Sequence, residues 1–291
     1  MVKPMYKTIV LSMILLLLMV SSWIIYTYYL QSPAQVVLLV YTPPVIQSLL
    51  NNASREFMQL HPNVRIKIIG GATGTLLNKI LLTGEGDIFI TADHEYMLNA
   101  SRMGLVVNES IKVLSYVVLA LIIPRGNPAN ITSLDDLVSK NVKIGVANPS
   151  VAPFGRMAVE LLVKNGIYDK VKDKLVIYGD VGQTARQVAL GLVDVAILPH
   201  VAHYWYLNDT SIIWLNPAQL PTMSCQMIAV LNTTKNYQAA LEFVKFLVEY
   251  VRFNPYPLEN GYIGDLDKIS SITPYSPEEL LFNNACIGYA K

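Results

Sequence analysis

The residues best suited to chemistry in this chain carry no charge. From Gly70 to Thr75 the sequence reads Gly-Gly-Ala-Thr-Gly-Thr, and the glycines at 70, 71 and 74 remove side chains where a helix would begin. Thr73 stands where an N-cap belongs, so free amides and threonine hydroxyls can converge on a small, acceptor-rich ligand. A plain capped helix after a glycine turn would use the same residues. A small anion suits such a site when it presents several acceptor oxygens and no donors. Each charge-assisted hydrogen bond to it is worth ~1.5–3 kcal/mol, so neutral N–H and O–H groups can hold it without a counter-cation. In a dry pocket lacking an acceptor, the unpaired proton of a protonated phosphate would cost ~1–3 kcal/mol.

Strands and helices must position those donors. The β-branched run Val64 to Ile69 precedes the turn, and Leu76, Leu77, Ile80 and Leu81 follow at helical spacing, which reads as strand, turn, helix. Gly86 to Asp93 follows as a short buried strand with acidic residues at both ends. Upstream, Val36 to Val40 is a strand ending in Tyr41-Thr42-Pro43-Pro44, and Ile46 to Leu60 is helical up to Pro62. Two prolines suit a first turn, whose N–H groups lack partners anyway. This βαβαβ order predicts a parallel sheet with ligands at the carboxyl ends of its strands, where Thr42 and Thr73 both lie. Later strands are predicted at Ser115 to Pro124, Val142 to Ala147, Leu175 to Tyr178 and Gly191 to Leu198. Helices are predicted to start after Ser133, at the turn Asn148-Pro-Ser-Val-Ala-Pro-Phe-Gly-Arg156 and at Val181. Thr222 to Leu231 is long and apolar enough to cross between two halves, and Tyr237 to Tyr250 is an amphipathic helix.

Two of these turns resemble the substrate-binding proteins of molybdate and tungstate ABC transporters. In that family a Ser-Gly-x-Leu helix start is followed by an Ala-Asp-Val-Phe-like strand and a Ser-Ala-Asp turn. Thr73-Gly-Thr-Leu76 and Asp87-Ile-Phe-Ile-Thr-Ala-Asp93 match, with threonine for serine. The turn at 148–156 is similar to the family's Asp-Pro-x-x-x-Pro-Tyr-Gly-x-x-Ala segment, with Asn148, Pro149, Pro153, Gly155 and Ala158 in register. The resemblance covers about Val36 to Phe253. It implies an α/β, two-lobe periplasmic-binding-protein-like (type II) fold with two crossover strands. Residues 36–118 plus 228–291 would form lobe 1, 119–227 an inserted lobe 2, and 253–291 an extension on lobe 1 without a counterpart in the family. It further implies a tetrahedral oxyanion, molybdate or tungstate, bound between the lobes without a cofactor by Thr42, Thr73 and the amides of Phe154 and Val181. An ABC permease would be the partner, and the protein would be a monomer and not an enzyme.

One position departs from the pattern. The family's ligand-contacting tyrosine falls on Pro199, so either His200 or Tyr204 supplies a donor or the site is looser. Ferric-ion binders of the same architecture use paired tyrosines in this region. His200, Tyr204 and Tyr206 therefore keep a metal-ion receptor, or a sulfate-type anion receptor, as the alternative. The spacing of His200 and His203 on one helix face is by itself more typical of core or solvent-facing histidines. Arg156 and Arg186 are expected to pair with surface acids.

Composition bounds the rest. The chain has 291 residues, 53% of them apolar, a net charge of +1 and no basic run, which argues against nucleic-acid binding. Ile9 to Tyr29 is uncharged and close to the ~20 residues of a spanning helix. With Lys3 and Lys7 before it, the positive-inside rule puts the remainder on the extracellular face of the membrane. Residues 1–35 are thus expected to be an N-terminal transmembrane helix and tether, with a cleaved signal peptide as the competing view. No cysteine lies near Leu30 to make a lipobox. Asn-x-Ser/Thr sequons at Asn52, Asn99, Asn108, Asn130, Asn208 and Asn232 fit an external glycoprotein. Cys225 and Cys286 are either a disulfide or two buried thiols. No nucleophile elbow, zincin helix or P-loop is present.

Overall fold

The computed structural model describes residues 3–30, 35–221, 223–281 and Cys286. In chain order its elements begin α1 (Lys3–Leu30), β1 (Val36–Thr42), α2 (Pro44–Leu60), β2 (Val64–Gly70), α3 (Thr73–Thr83), β3 (Ile88–Thr91) and α4 (His94–Arg102). They continue β4 (Lys112–Val117), β5 (Leu119–Pro124), α5 (Leu134–Ser139), β6 (Ile144–Ala147), α6 (Pro153–Lys164), α7 (Tyr168–Val171), β7 (Leu175–Tyr178) and α8 (Val181–Ala189). The last are β8 (Val195–Pro199), α9 (Val201–Tyr204), β9 (Thr210–Ile213), β10 (Ser224–Val230), α10 (Tyr237–Phe253), α11 (Pro255–Glu259) and α12 (Pro277–Leu281).

The strands form two five-stranded sheets, β2-β1-β3-β10-β4 and β7-β6-β8-β5-β9, and each sheet with its helices makes one lobe. β1 is parallel to β2 and β3, while β10 runs antiparallel between β3 and β4. The β1–β2 register runs from Val36 opposite Val64 to Thr42 opposite Gly70, so the two turns leading into α2 and α3 leave the sheet side by side. The second sheet repeats the device. Ala147 of β6 lies opposite Tyr178 of β7, which sets the turns into α6 and α8 next to each other. Strands buried on both faces, such as β5 and β10, read as unbroken apolar runs with little alternation. Gly84 ends α3 at φ 62°, the left-handed conformation that glycine adopts without strain.

The chain passes between sheets at Val117 to Leu119, where β4 gives way to β5. It returns upstream of Ser224, because β10 pairs along its whole length within the first sheet. The apolar segment expected to make the second crossing is therefore a central strand. Beyond α11 the C-terminal extension lies against both lobes. Ile263 bonds with Tyr116 and Ser115 of β4, Gly261 O accepts from His200 Nε2 after β8, and the Tyr275 hydroxyl donates to Leu215 O. A disulfide joins Cys286 to Cys225 on β10.

The expected N-terminal transmembrane helix is not supported. Among the described residues no helix is long and apolar enough to cross a membrane. Within α1 the described side chains are those of 9–23, fewer than the ~20 residues a span requires. Of the sequon asparagines, Asn99, Asn108, Asn130, Asn208 and Asn232 are exposed and Asn52 is half-buried.

Candidate functional site

The starts of four helices, two from each lobe, face one small pocket. Its walls are Pro44 and Val45 of α2, Thr73 of α3, Pro153 and Phe154 of α6 and Val181 of α8, completed by small residues that include Ala72, Ala92 and Ala152. In the first turn of a helix an N–H has no carbonyl one turn back to bond with, and the helix dipole places partial positive charge there. Proline at the first position of α2 and α6 removes a donor that would otherwise compete. The space left between these turns is a cavity of about 10 Å³, room for the centre of one water-sized group.

Thr73 is fully buried, and its hydroxyl oxygen accepts from the Ala92 N–H at 3.3 Å. That bond uses a lone pair and leaves the hydroxyl proton free to be donated. Phe154 packs its ring into the core, 1% exposed, which anchors the turn carrying its amide. Asp180 is the acid on the wall. Its Oδ1 caps α8 by accepting from Gln183 N–H at 2.8 Å.

The structure brings Thr73, Phe154 and Val181 together, but not the other two residues expected at the site. Thr42 is fully buried next to Pro43 but is not among the residues lining the pocket, and its hydroxyl donates to Pro43 O at 3.3 Å. His200 belongs to the hinge. Its Nδ1 accepts from Val118 N–H at 3.2 Å and its Nε2 donates to Gly261 O at 2.8 Å, a neutral tautomer assigned from those partners. Complete burial pushes its pKa down to about 4. Tyr204 packs under Gly261, where an added Cβ would lie 2.5 Å from the ring. A metal set of His200, Tyr204 and Tyr206 would have to displace the His200 bonds. Among the described residues, His94, Cys225 and Cys286 form the one group with metal-ligand spacing, and its cysteines are joined in the disulfide.

Gly155 sets how closely α6 approaches β6. A Cβ there would fall 2.1 Å from Ala147 O and 2.7 Å from its carbonyl carbon, so backbone would have to move. Gly155→Ala is expected to cost ~1–3 kcal/mol by overpacking, read as a lower urea midpoint. Unchanged stability would show that α6 has slack there.

Sequence reasoning missed one feature. Arg156, expected to meet surface acids only, also pairs across the cleft with Asp93, whose side chain is 3% exposed. Burial is the main cause of a raised Asp93 pKa, opposed by the Tyr96 N–H bond and by Arg156.

Known proteins share this architecture. YvgL, a Bacillus subtilis lipoprotein assigned to ABC transporters, is 24% identical over 216 residues, covering 74% of this chain and 82% of its own length. The molybdate-binding protein ModA of Haemophilus influenzae is 28% identical over 155 residues, 52% of this chain and 59% of that protein. The periplasmic molybdate-binding protein of Azotobacter vinelandii superposes with a TM-score of 0.69 at 18% identity, covering 78% of this chain and 98% of that one. A periplasmic thiamin-binding protein gives 0.67 at 17% identity, over 80% and 84% of the two chains, so the fold alone does not name a ligand. The model of the family described as bacterial extracellular solute-binding protein matches residues 38–249, most of the chain, and the chain belongs to that family.

Proposed function

We propose that this protein captures a tetrahedral oxyanion of the molybdate or tungstate type between its lobes and delivers it to an ABC permease. The observation that carries this reading is the meeting of four helix starts on one pocket, with the free proton of Thr73 and first-turn amides such as that of Val181 as donors. Among the described residues, no lysine or arginine stands on the pocket wall. Selection would rest on neutral donors and on size, since sulfate and molybdate carry the same charge. The identities to ModA proteins support the same ligand class. An oxyanion is larger than one water, so the lobes must part to admit it before they close on it.

The test is calorimetric titration of the full chain with molybdate, tungstate, sulfate and phosphate. Binding of molybdate or tungstate in preference to phosphate is expected, and no binding of any of the four would remove the proposal. Thr73→Val keeps the shape and deletes the hydroxyl. It is expected to weaken binding about tenfold, the value of one hydrogen bond of ~1.4 kcal/mol, and equal affinity would put the pocket elsewhere.

A further inference from the structure

Arg156 lies two residues beyond Phe154 in α6, and its guanidinium spans the cleft. Nη2 is 2.7 Å from Asp93 Oδ2 and 3.1 Å from Glu95 Oε2, both at the start of α4 in the other lobe. Nη1 is 2.7 Å from Glu160 Oε1, one turn along its own helix. The second oxygen of Asp93 accepts from Tyr96 N–H at 3.0 Å, so this carboxylate is held from both sides. A second contact crosses the cleft nearby. Gly74 N–H of α3 donates to Val151 O at 3.0 Å. A Cβ at Gly74 would lie 2.7 Å from the Tyr96 hydroxyl and 3.1 Å from Val151 O, so the two walls meet there with no side chain between them.

These contacts join lobe to lobe directly and need no guest. We propose that Arg156 is a closure latch, a positioning residue that engages α4 only when the lobes meet and so sets how often the empty cleft stands shut. When the lobes part, Arg156 keeps Glu160 while Asp93 and Glu95 are carried away with α4. Closing without the arginine would bury Asp93 against the other lobe with no counter-charge, a costly arrangement for a carboxylate. Any guest that binds the shut form then binds with an apparent affinity scaled by the shut fraction. Arg156 thus tunes affinity without touching the guest. At 32% exposure its side chain remains open to screening by salt.

Amide hydrogen exchange on the full chain, without ligand, tests the latch through the Gly74 N–H, whose partner among the described residues lies across the cleft. Arg156→Gln is expected to speed exchange there about 5- to 50-fold. Salt at ~1 M is expected to speed it in the unaltered chain and to do little more in the variant. Arg156→Lys should restore part of the protection. Unchanged exchange at Gly74 in Arg156→Gln overturns the proposal, and so does equal acceleration at core amides such as Leu38 and Ile90, which would give Arg156 a general structural role. A molybdate titration of Arg156→Gln adds an arm that rests on the oxyanion reading: the dissociation constant should rise as the shut fraction falls, its factor and the exchange factor multiplying to the change in the closing constant. A chain that binds no oxyanion but shows the exchange pattern keeps the latch and loses that ligand. One that binds molybdate with exchange unaltered by Arg156→Gln keeps the ligand and loses the latch.

Discussion

Lowering the pH from 6.5 to 4 is expected to remove on the order of 3 kcal/mol of folding stability through His200 alone. The ring is fully buried, and burial depresses its pKa from 6.5 to about 4. Between those values the unfolded chain binds a proton that the folded one refuses, so stability rises with pH across the window and is lost as pH falls through it. The geometry explains the refusal. With Nδ1 accepting from Val118 N–H, a protonated ring would have to turn that nitrogen to Val118 O, at 3.4 Å. His203, half-buried and also shifted down by burial, acts in the same direction, whereas the raised Asp93 opposes it toward the acid end. Urea midpoints measured from pH 7 to pH 4 should fall steeply for the unaltered chain and less steeply for His200→Gln. Identical slopes would show that the hinge accommodates the charge.

Removing the disulfide is expected to cost more, about 4 kcal/mol. Cys225 and Cys286 close a loop with a sequence separation of 61, and the chain-entropy account of a loop that long gives about that figure, within the ~2–5 kcal/mol usual for a native bridge. The loss should concentrate on the extension. Among the described residues, its other ties to the two lobes include the bonds of Gly261, Ile263, Lys268 and Tyr275. Chemical denaturation of Cys225→Ala/Cys286→Ala measures the effect. A midpoint matching the parent would mean that packing holds the extension unaided.

How much of this was legible in the sequence follows from how local each feature is. The turns at Thr73 and Phe154 are written in glycine, proline and threonine within a few residues of the helices they start, so both can be read without the fold. Thr42 falls beside the cleft because it ends a strand, but nothing local orients it, since a hydroxyl with its own chain's carbonyl in reach, Pro43 O, need not face a ligand. His200 was reached by counting along the chain to the place of a missing tyrosine. Counting says nothing of what covers the end of β8, and the covering carbonyl, Gly261 O, comes from the extension 61 residues on. Arg156 shows the same boundary within one side chain. Its bond to Glu160, four residues away, is readable from helical spacing, whereas Asp93 is 63 residues distant and in the other lobe.

The four facing helix starts carry an evolutionary consequence. A recognition surface made of peptide N–H groups tolerates exchange of most neighbouring side chains, provided the turns keep their shape. Sequences can then drift far while the constellation persists, in keeping with a TM-score of 0.69 at 18% identity to a molybdate-binding protein. An alanine scan of such a surface would pass over most of what holds the guest, and the informative substitutions would be those that bend the main chain.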